Sequence, residues 1–205
     1  MALSAELAEA VAGVLGAPSS EAITHLRNLR KAGLISKAGR GAYGAAMTES
    51  DAIPLLLAMT GAERVKDSVK AAKALAALPL RKHGMTWRRK EWNTGSPLLS
   101  LDPEPTLNDA MHCLLGVTAL QLGLGSSDRH ALSSMINEAR RPPRFEIRIS
   151  YPDYGAVIIV TMPGVAEERW TFGRDKETAG GGDRQRQSKF TEVTLQKVCT
   201  VLAAR

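Results

Sequence analysis

Residues 19–35 read SSEAITHLRNLRKAGLI, and the spacing of their apolar side chains decides how the first part of the chain folds. Ala22, Ile23, Leu26 and Leu29 recur on one face at about 100° per residue, so the segment is a helix that buries that face. Ser20 is placed to cap it, and the helix runs through Ala32, where Gly33 ends it in the left-handed conformation that a residue without Cβ adopts freely. The opposite face is then fixed. It carries Ser20, Thr24, Arg27, Asn28 and Lys31, with Glu21 at its edge. Arg and Asn match guanine and adenine edges in a major groove, and Ser, Thr and Lys suit phosphates or bases. An ordinary solvated helix face is the competing reading of the same residues.

Working outward, Ser4 opens an Ala/Leu/Glu-rich run with Leu7, Val11, Val14 and Leu15 at helical spacing, Gly16 stops it, and Pro18, Ser19 and Ser20 turn the chain. The order is helix, tight turn, helix. Leu34-Ile35-Ser36 is short and strand-like, and KAGRGAYGA (37–45), with its three glycines and two cations, reads as a hairpin tip. Thr48 and Asp51 form a capping box for a third helix, although Pro54 lies deep for that start and points to a kink or a later beginning.

This order resembles the winged helix-turn-helix of bacterial and phage transcriptional regulators, carried by ELAEAVAGVLG, the turn APSS, the helix EAITHLRNLRKAGLI and KAGRGAYG. The resemblance implies that the LRxAGLI ending packs the reading helix on its core and that the glycine-rich segment is the wing. It further implies that Lys37 and Arg40 meet phosphates and that Tyr43 sits at the wing's base. Winged helices also serve as interaction or assembly modules, for example in phage packaging or replication, and this second function stays open.

Charge supports a polyanionic partner. Residues 1–95 hold 14 Lys+Arg against 8 Asp+Glu, a net +6, and residues 96–205 hold 13 against 13, a net of zero, so all of the chain's +6 lies in its first half. Ala62 to Leu78 reads as an amphipathic helix bearing Arg64, Lys66, Lys70 and Lys73. RKHGMTWRRKEW (81–92) follows, where Arg81, Lys82, Arg88, Arg89 and Lys90 interleave with Trp87 and Trp92. That tract suits either a second nucleic-acid contact or aromatic anchors beside a solvated charge run.

The Pro, Gly and Ser content of residues 93–105 marks a domain boundary. Beyond it, Thr106 caps a helix to about Leu122, a second helix spans Asp128 to Arg140, and Phe145, Ile147, Ile149 and Tyr151 alternate as a strand. Asp153-Tyr154-Gly155 turns it into AVIIVTM, Trp170 and Phe172 suggest a third strand, residues 173–187 form a polar loop, and Thr191 opens a helix to Ala203. The expected fold is therefore mainly α with a small α+β C-terminal part. A winged helix-turn-helix occupies residues 1–60, a basic helix and linker 61–95, and an ααβββα oligomerisation or sensing domain 96–205.

Chemistry of other kinds finds little support. Cys113 and Cys199 lie in apolar helical patterns without metal-ligand spacing, so no metal is expected and both read as buried thiols. His25, His83, His112 and His130 are scattered without a triad, and Gly180–Gly182 lacks the Lys-Ser/Thr of a phosphate loop. Asp153 with Glu167, Glu168 and Arg169 is a faint echo of a metal-dependent nuclease. The expectation is a non-enzymatic, cofactor-free, cytoplasmic regulator with no membrane segment. It would bind double-stranded DNA as a homodimer or higher homo-oligomer joined through the C-terminal domain.

Overall fold

The computed structural model describes residues 4–37, 46–87, 97–101, 103–124, 142–164, 166–173 and 186–204, and these form an α+β fold. Six α-helices are present among them: α1 (Ser4–Leu15), α2 (Ser19–Lys31), α3 (Glu49–Gly61), α4 (Ser68–Ala76), α5 (Leu107–Gln121) and α6 (Glu192–Ala203). Five strands complete the set, β1 (Leu80–Trp87), β2 (Arg144–Tyr151), β3 (Gly155–Met162), β4 (Ala166–Gly173) and β5 (Arg186–Thr191). They make one antiparallel sheet in the order β1-β4-β3-β2-β5. No helix among the described residues is long and apolar enough to cross a membrane.

Local chemistry explains most boundaries. Thr106 and Asp109 form the capping box of α5, with Asp109 N–H donating to Thr106 Oγ1 at 3.3 Å and Thr106 N–H to Asp109 Oδ2 at 2.9 Å. At the end of α2, Gly33 N–H donates to Arg30 C=O and Leu34 N–H to Leu29 C=O, with Gly33 at φ +73°. Helix α3 starts at Glu49 behind a Thr48/Asp51 capping box and continues through Pro54, so neither a later start nor an interruption is needed. Pro54 removes the donor for Ser50 C=O, which belongs to an exposed residue near the helix start.

Several expectations are corrected. Residues 80–87, read as part of a basic linker, form edge strand β1 paired with β4. Residues 186–191, assigned in part to a polar loop, form the other edge strand, β5, paired with β2. Both escape a period-two reading because edge strands keep most side chains wet; in β5 only Phe190 is buried. The ladder places Arg148 directly opposite Lys189, a like-charge pair that Glu146 bridges at 2.6 and 2.7 Å. Leu34–Ser36 is a bend with Ile35 in the core rather than a strand. The helix expected from Ala62 is a short 3-10 turn at Val65–Asp67 followed by α4.

The core does not divide at residues 60 and 95. One buried cluster joins Leu7, Val11, Leu26 and Leu29 from the first helices, Leu55–Leu57 from α3, Leu114 from α5, Phe145, Ile147, Trp170 and Phe172 from the sheet, and Leu195 and Val198 from α6. Helix α1 packs on α6, and α3 touches α1, α2, α4, α5, α6, β2 and β5. Cys199 lies inside this cluster, its thiol pushed up to about 12 chiefly by burial, whereas Cys113 is only half-buried, its Sγ 3.4 Å from the Pro97 carbonyl. The helix expected over 128–140 lies outside the described residues.

Gly61 sits where α3, α4 and β2 converge. A Cβ there would lie 2.3 Å from Leu75 Cδ1 and 3.6 Å from Ile149 Cγ2, and Leu75 is fully buried, so making room displaces a core side chain. Gly61→Ala should therefore lower stability by about 1–2 kcal/mol, overpacking outweighing the gain in helix propensity. Gly13→Ala, in α1 with open space around its Cβ, should instead raise it by up to about 1 kcal/mol. Urea unfolding of the two variants measures both, and equal signs would refute the crowding at Gly61.

Candidate nucleic-acid interface

Helix α2 is presented by two glycine stops. Gly16, at φ +66°, ends α1 with Ala17 N–H donating to Ala12 C=O, and Pro18 then supplies the carbonyl that receives the first hydrogen bonds of α2, from Glu21 and Ala22. Ser19 thus opens the helix and Pro18, not Ser20, stands at its N-cap. Ala22, Leu26 and Leu29 turn into the core.

The residues expected to read DNA separate into two groups. Ser20, Thr24, Arg27 and Lys31 are exposed and fall at i, i+4, i+7 and i+11, one straight stripe along the helix. The Thr24 hydroxyl donates to Ser20 C=O at 2.8 Å. Asn28 does not share this stripe: it is half-buried, and its Nδ2 donates to the Val65 carbonyl at 2.9 Å. Its amide is committed to holding α2 against the turn before α4. Lys37, Arg81 and Lys82 are exposed, the last two on edge strand β1. Arg40, Tyr43, Arg88, Arg89 and Lys90 lie outside the described residues.

His25, which sequence reasoning left among the scattered histidines, is a second fastening of α2 to α4. It is 2% exposed, and its Nδ1 lies 2.8 Å from Ser68 Oγ. Ser68 donates its own hydrogen to Val65 C=O, so its oxygen accepts and Nδ1 of His25 carries the proton. On the other side Nε2 lies 3.8 Å from Glu21 Oε1. Burial depresses the imidazole below its ordinary 6.5, and Glu21 opposes that shift without overcoming it. The signal was present in the spacing: positions 22, 25, 26 and 29 form the buried stripe, and His25 occupies one of them. Beyond this clasp, Arg64, Lys66, Lys70 and Lys73 are exposed along the turn and α4.

A buried carboxylate closes the loop that follows α2. Asp51, 2% exposed, accepts from Ser36 N–H at 2.7 Å, Thr48 N–H at 2.9 Å and Thr48 Oγ1 at 3.0 Å. The two flanks of the glycine-rich segment are thereby pinned to one side chain. Burial alone would raise the carboxyl's pKa, but the hydrogen bonds from Ser36 and Thr48 outweigh it and set it below the ordinary 3.8.

Elsewhere, Glu168 is fully buried on the helix-facing side of the sheet, where it accepts from Trp170 Nε1 at 3.1 Å and lies 3.8 Å from His83 Nε2, while the His83 and Trp170 rings stack at 4.2 Å. Neighbouring Glu167 points to the other face and is exposed, and Asp153 lies in the turn at the far end of β3. The carboxylates of the nuclease-like pattern are therefore not brought together. No group of three or more potential metal ligands occurs among the described residues. Compared with family models, curated proteins and solved structures, the chain matches none.

Two stability measurements check this geometry. Asp51→Ala should cost about 1–3 kcal/mol, since the part-buried hydrogen bonds from Ser36 and Thr48 lose a charged acceptor. Because the folded carboxyl titrates below 3.8, its contribution is fully present above that pH and is lost as the pH falls through the lower folded value, a loss Asp51→Ala should not show. A variant within about 0.5 kcal/mol of the parent would show that the clamp is not made. For His25 the folded state favours the neutral ring, so stability should hold above pH 6.5 and decline below it until the depressed folded pKa is reached. Thermal melts of the parent and His25→Asn across about pH 7.5 to 5 should diverge in that window. Parallel curves would mean the ring is not held neutral.

Proposed function

We propose that this chain is a non-enzymatic, sequence-specific DNA-binding regulator of transcription that lays α2 in the major groove and acts as a homodimer. The single observation that carries the reading is the division of labour on α2. Ala22, His25, Leu26 and Leu29 are buried and Asn28 is bonded to Val65, while Ser20, Thr24, Arg27 and Lys31 stand in one exposed stripe. Arg27 is the base reader, because its forked donors match guanine O6 and N7. Thr24 and Ser20 lie beside it, and Lys31 and Lys37 face phosphates. The cations of the Arg64–Lys73 segment flank the same helix, which His25 and Asn28 fasten to them, and extend the positive surface along the duplex backbone. On the strength of the sequence Arg40 is assigned a phosphate contact and Tyr43 the base of the wing, and Arg81, Lys82, Arg88, Arg89 and Lys90 a second nucleic-acid contact.

Asn28 is reassigned from base reading to positioning. Arg27→Ala should lose about 1–3 kcal/mol on a preferred site selected from a random duplex pool and little on random DNA. Asn28→Ala should weaken both alike, because it loosens the helix rather than removing a base contact. Binding should also fall with salt by roughly 0.9 log units per log unit for each phosphate neutralised. A salt-independent affinity would end the DNA reading, and equal affinity for every duplex would favour an architectural or packaging module instead.

A further inference from the structure

Glu21 stands on the flank of the exposed stripe of α2, in the first turn of the helix, and the contacts assigned so far leave it without a task. Its side chain is 43% exposed. Ser20 precedes it and Thr24 lies three residues on, so it shares the end of the helix that these two residues present. His25 follows one turn later, but its Nε2 is 3.8 Å from the carboxylate, beyond hydrogen-bond reach, and is bare while Nδ1 donates to Ser68. Among the described residues no hydrogen bond reaches the Glu21 carboxylate.

A carboxylate left open on this flank is a cost to DNA binding unless it meets a donor. Phosphates repel it, and so do the acceptor atoms that most base edges show in a major groove. Guanine offers N7 and O6, thymine offers O4, and adenine sets N7 beside its N6 amino group. Cytosine offers the N4 donor with no acceptor next to it. An acid therefore selects by repulsion as much as by attraction.

We propose that Glu21 is a specificity-determining residue that accepts a hydrogen bond from cytosine N4 in the major groove. This rests on the proposed function and adds a second base reader to Arg27. Six residues separate the two along α2, about 9 Å of helix rise, so the cytosine falls within roughly three base pairs of the guanine that Arg27 reads. The two readers are complementary: Arg27 brings donors to the acceptors of guanine, and Glu21 brings an acceptor to the donor of cytosine. An acid in the first turn also interacts favourably with the helix dipole. That role stabilises the fold and is blind to sequence, so base preference separates the two.

The test is selection of bound sequences from a random duplex pool by the full chain freed of nucleic acid, repeated with Glu21→Gln and Glu21→Ala. The parent should enrich cytosine within about three base pairs of the guanine whose enrichment Arg27→Ala abolishes. Glu21→Gln should exchange that cytosine for adenine, since a carboxamide pairs with N6 and N7 together. Glu21→Ala should bind the preferred duplex roughly five- to hundredfold more weakly, yet random duplex about two- to fivefold more tightly at low salt, because a negative charge has left the interface. Changes of opposite sign on the two duplexes mark a base reader. Base preferences unchanged in both variants, with all duplexes affected alike, would overturn this assignment and leave the DNA reading intact. Enrichment of a base other than cytosine at the position that depends on Glu21 would also overturn it. A parent that selects no sequence, or binds no duplex, would overturn both.

Discussion

A helix without a wet side must be surrounded, and α3 is such a helix. Its buried residues, Asp51, Ala52, Ile53, Leu55, Leu56, Leu57, Ala58, Thr60 and Gly61, go all the way round the cylinder, so no orientation leaves an apolar stripe facing water. The rest of the molecule is arranged by that demand. Helices α1 and α2 cover one side, α4 and α5 others, and β2, β5 and α6 close the remainder. At Gly61 a Cβ would meet Leu75 of α4 and Ile149 of β2, so two of these sides close tightly on α3 there.

Some of the polar groups drawn inside by this packing fix how elements sit against one another. Asp51 stands at the start of α3 and ties down both approaches to the glycine-rich segment. His25 and Asn28 reach across to Val65 and Ser68, so the orientation of α2 is set by the turn before α4 as well as by the apolar face beneath it. The exposed stripe of α2 is therefore oriented by contacts made on the other faces of the same helix.

What was legible in the sequence is what local chemistry determines. Thr106 with Asp109, Thr48 with Asp51, Gly16 and Gly33, the alternation from Phe145 to Tyr151 and the turn at Asp153 all act through neighbours a few residues away, and each marks an element boundary in the structure. The misreadings share another origin. Strands β1 and β5 sit at the sheet's edges, where Arg81, Lys82, Arg186 and Lys189 are free to be polar, so their composition looked like loop. Asn28 resembles a base reader on a helical wheel, and only the arrival of Val65, 37 residues later, shows that its amide is engaged. The Pro/Gly/Ser-rich stretch near residue 95 does not mark the end of a core, because α1 and α6 meet across it.

That last contact bears on how the molecule is made. Leu7, Ala8, Val11 and Ala12 of α1 are buried in a core shared with Leu195 and Val198, nearly the whole sequence later. A chain emerging from the ribosome can form α1 and α2 early from their own caps and glycines, but it cannot cover α1 until residues 192–203 have been synthesised. Contacts of such long sequence separation close late and slow the search for the native state. During synthesis the apolar face of the first helix stays open to water, to chaperones and to other nascent copies, so the segment with the best local signals is among the last to become secure.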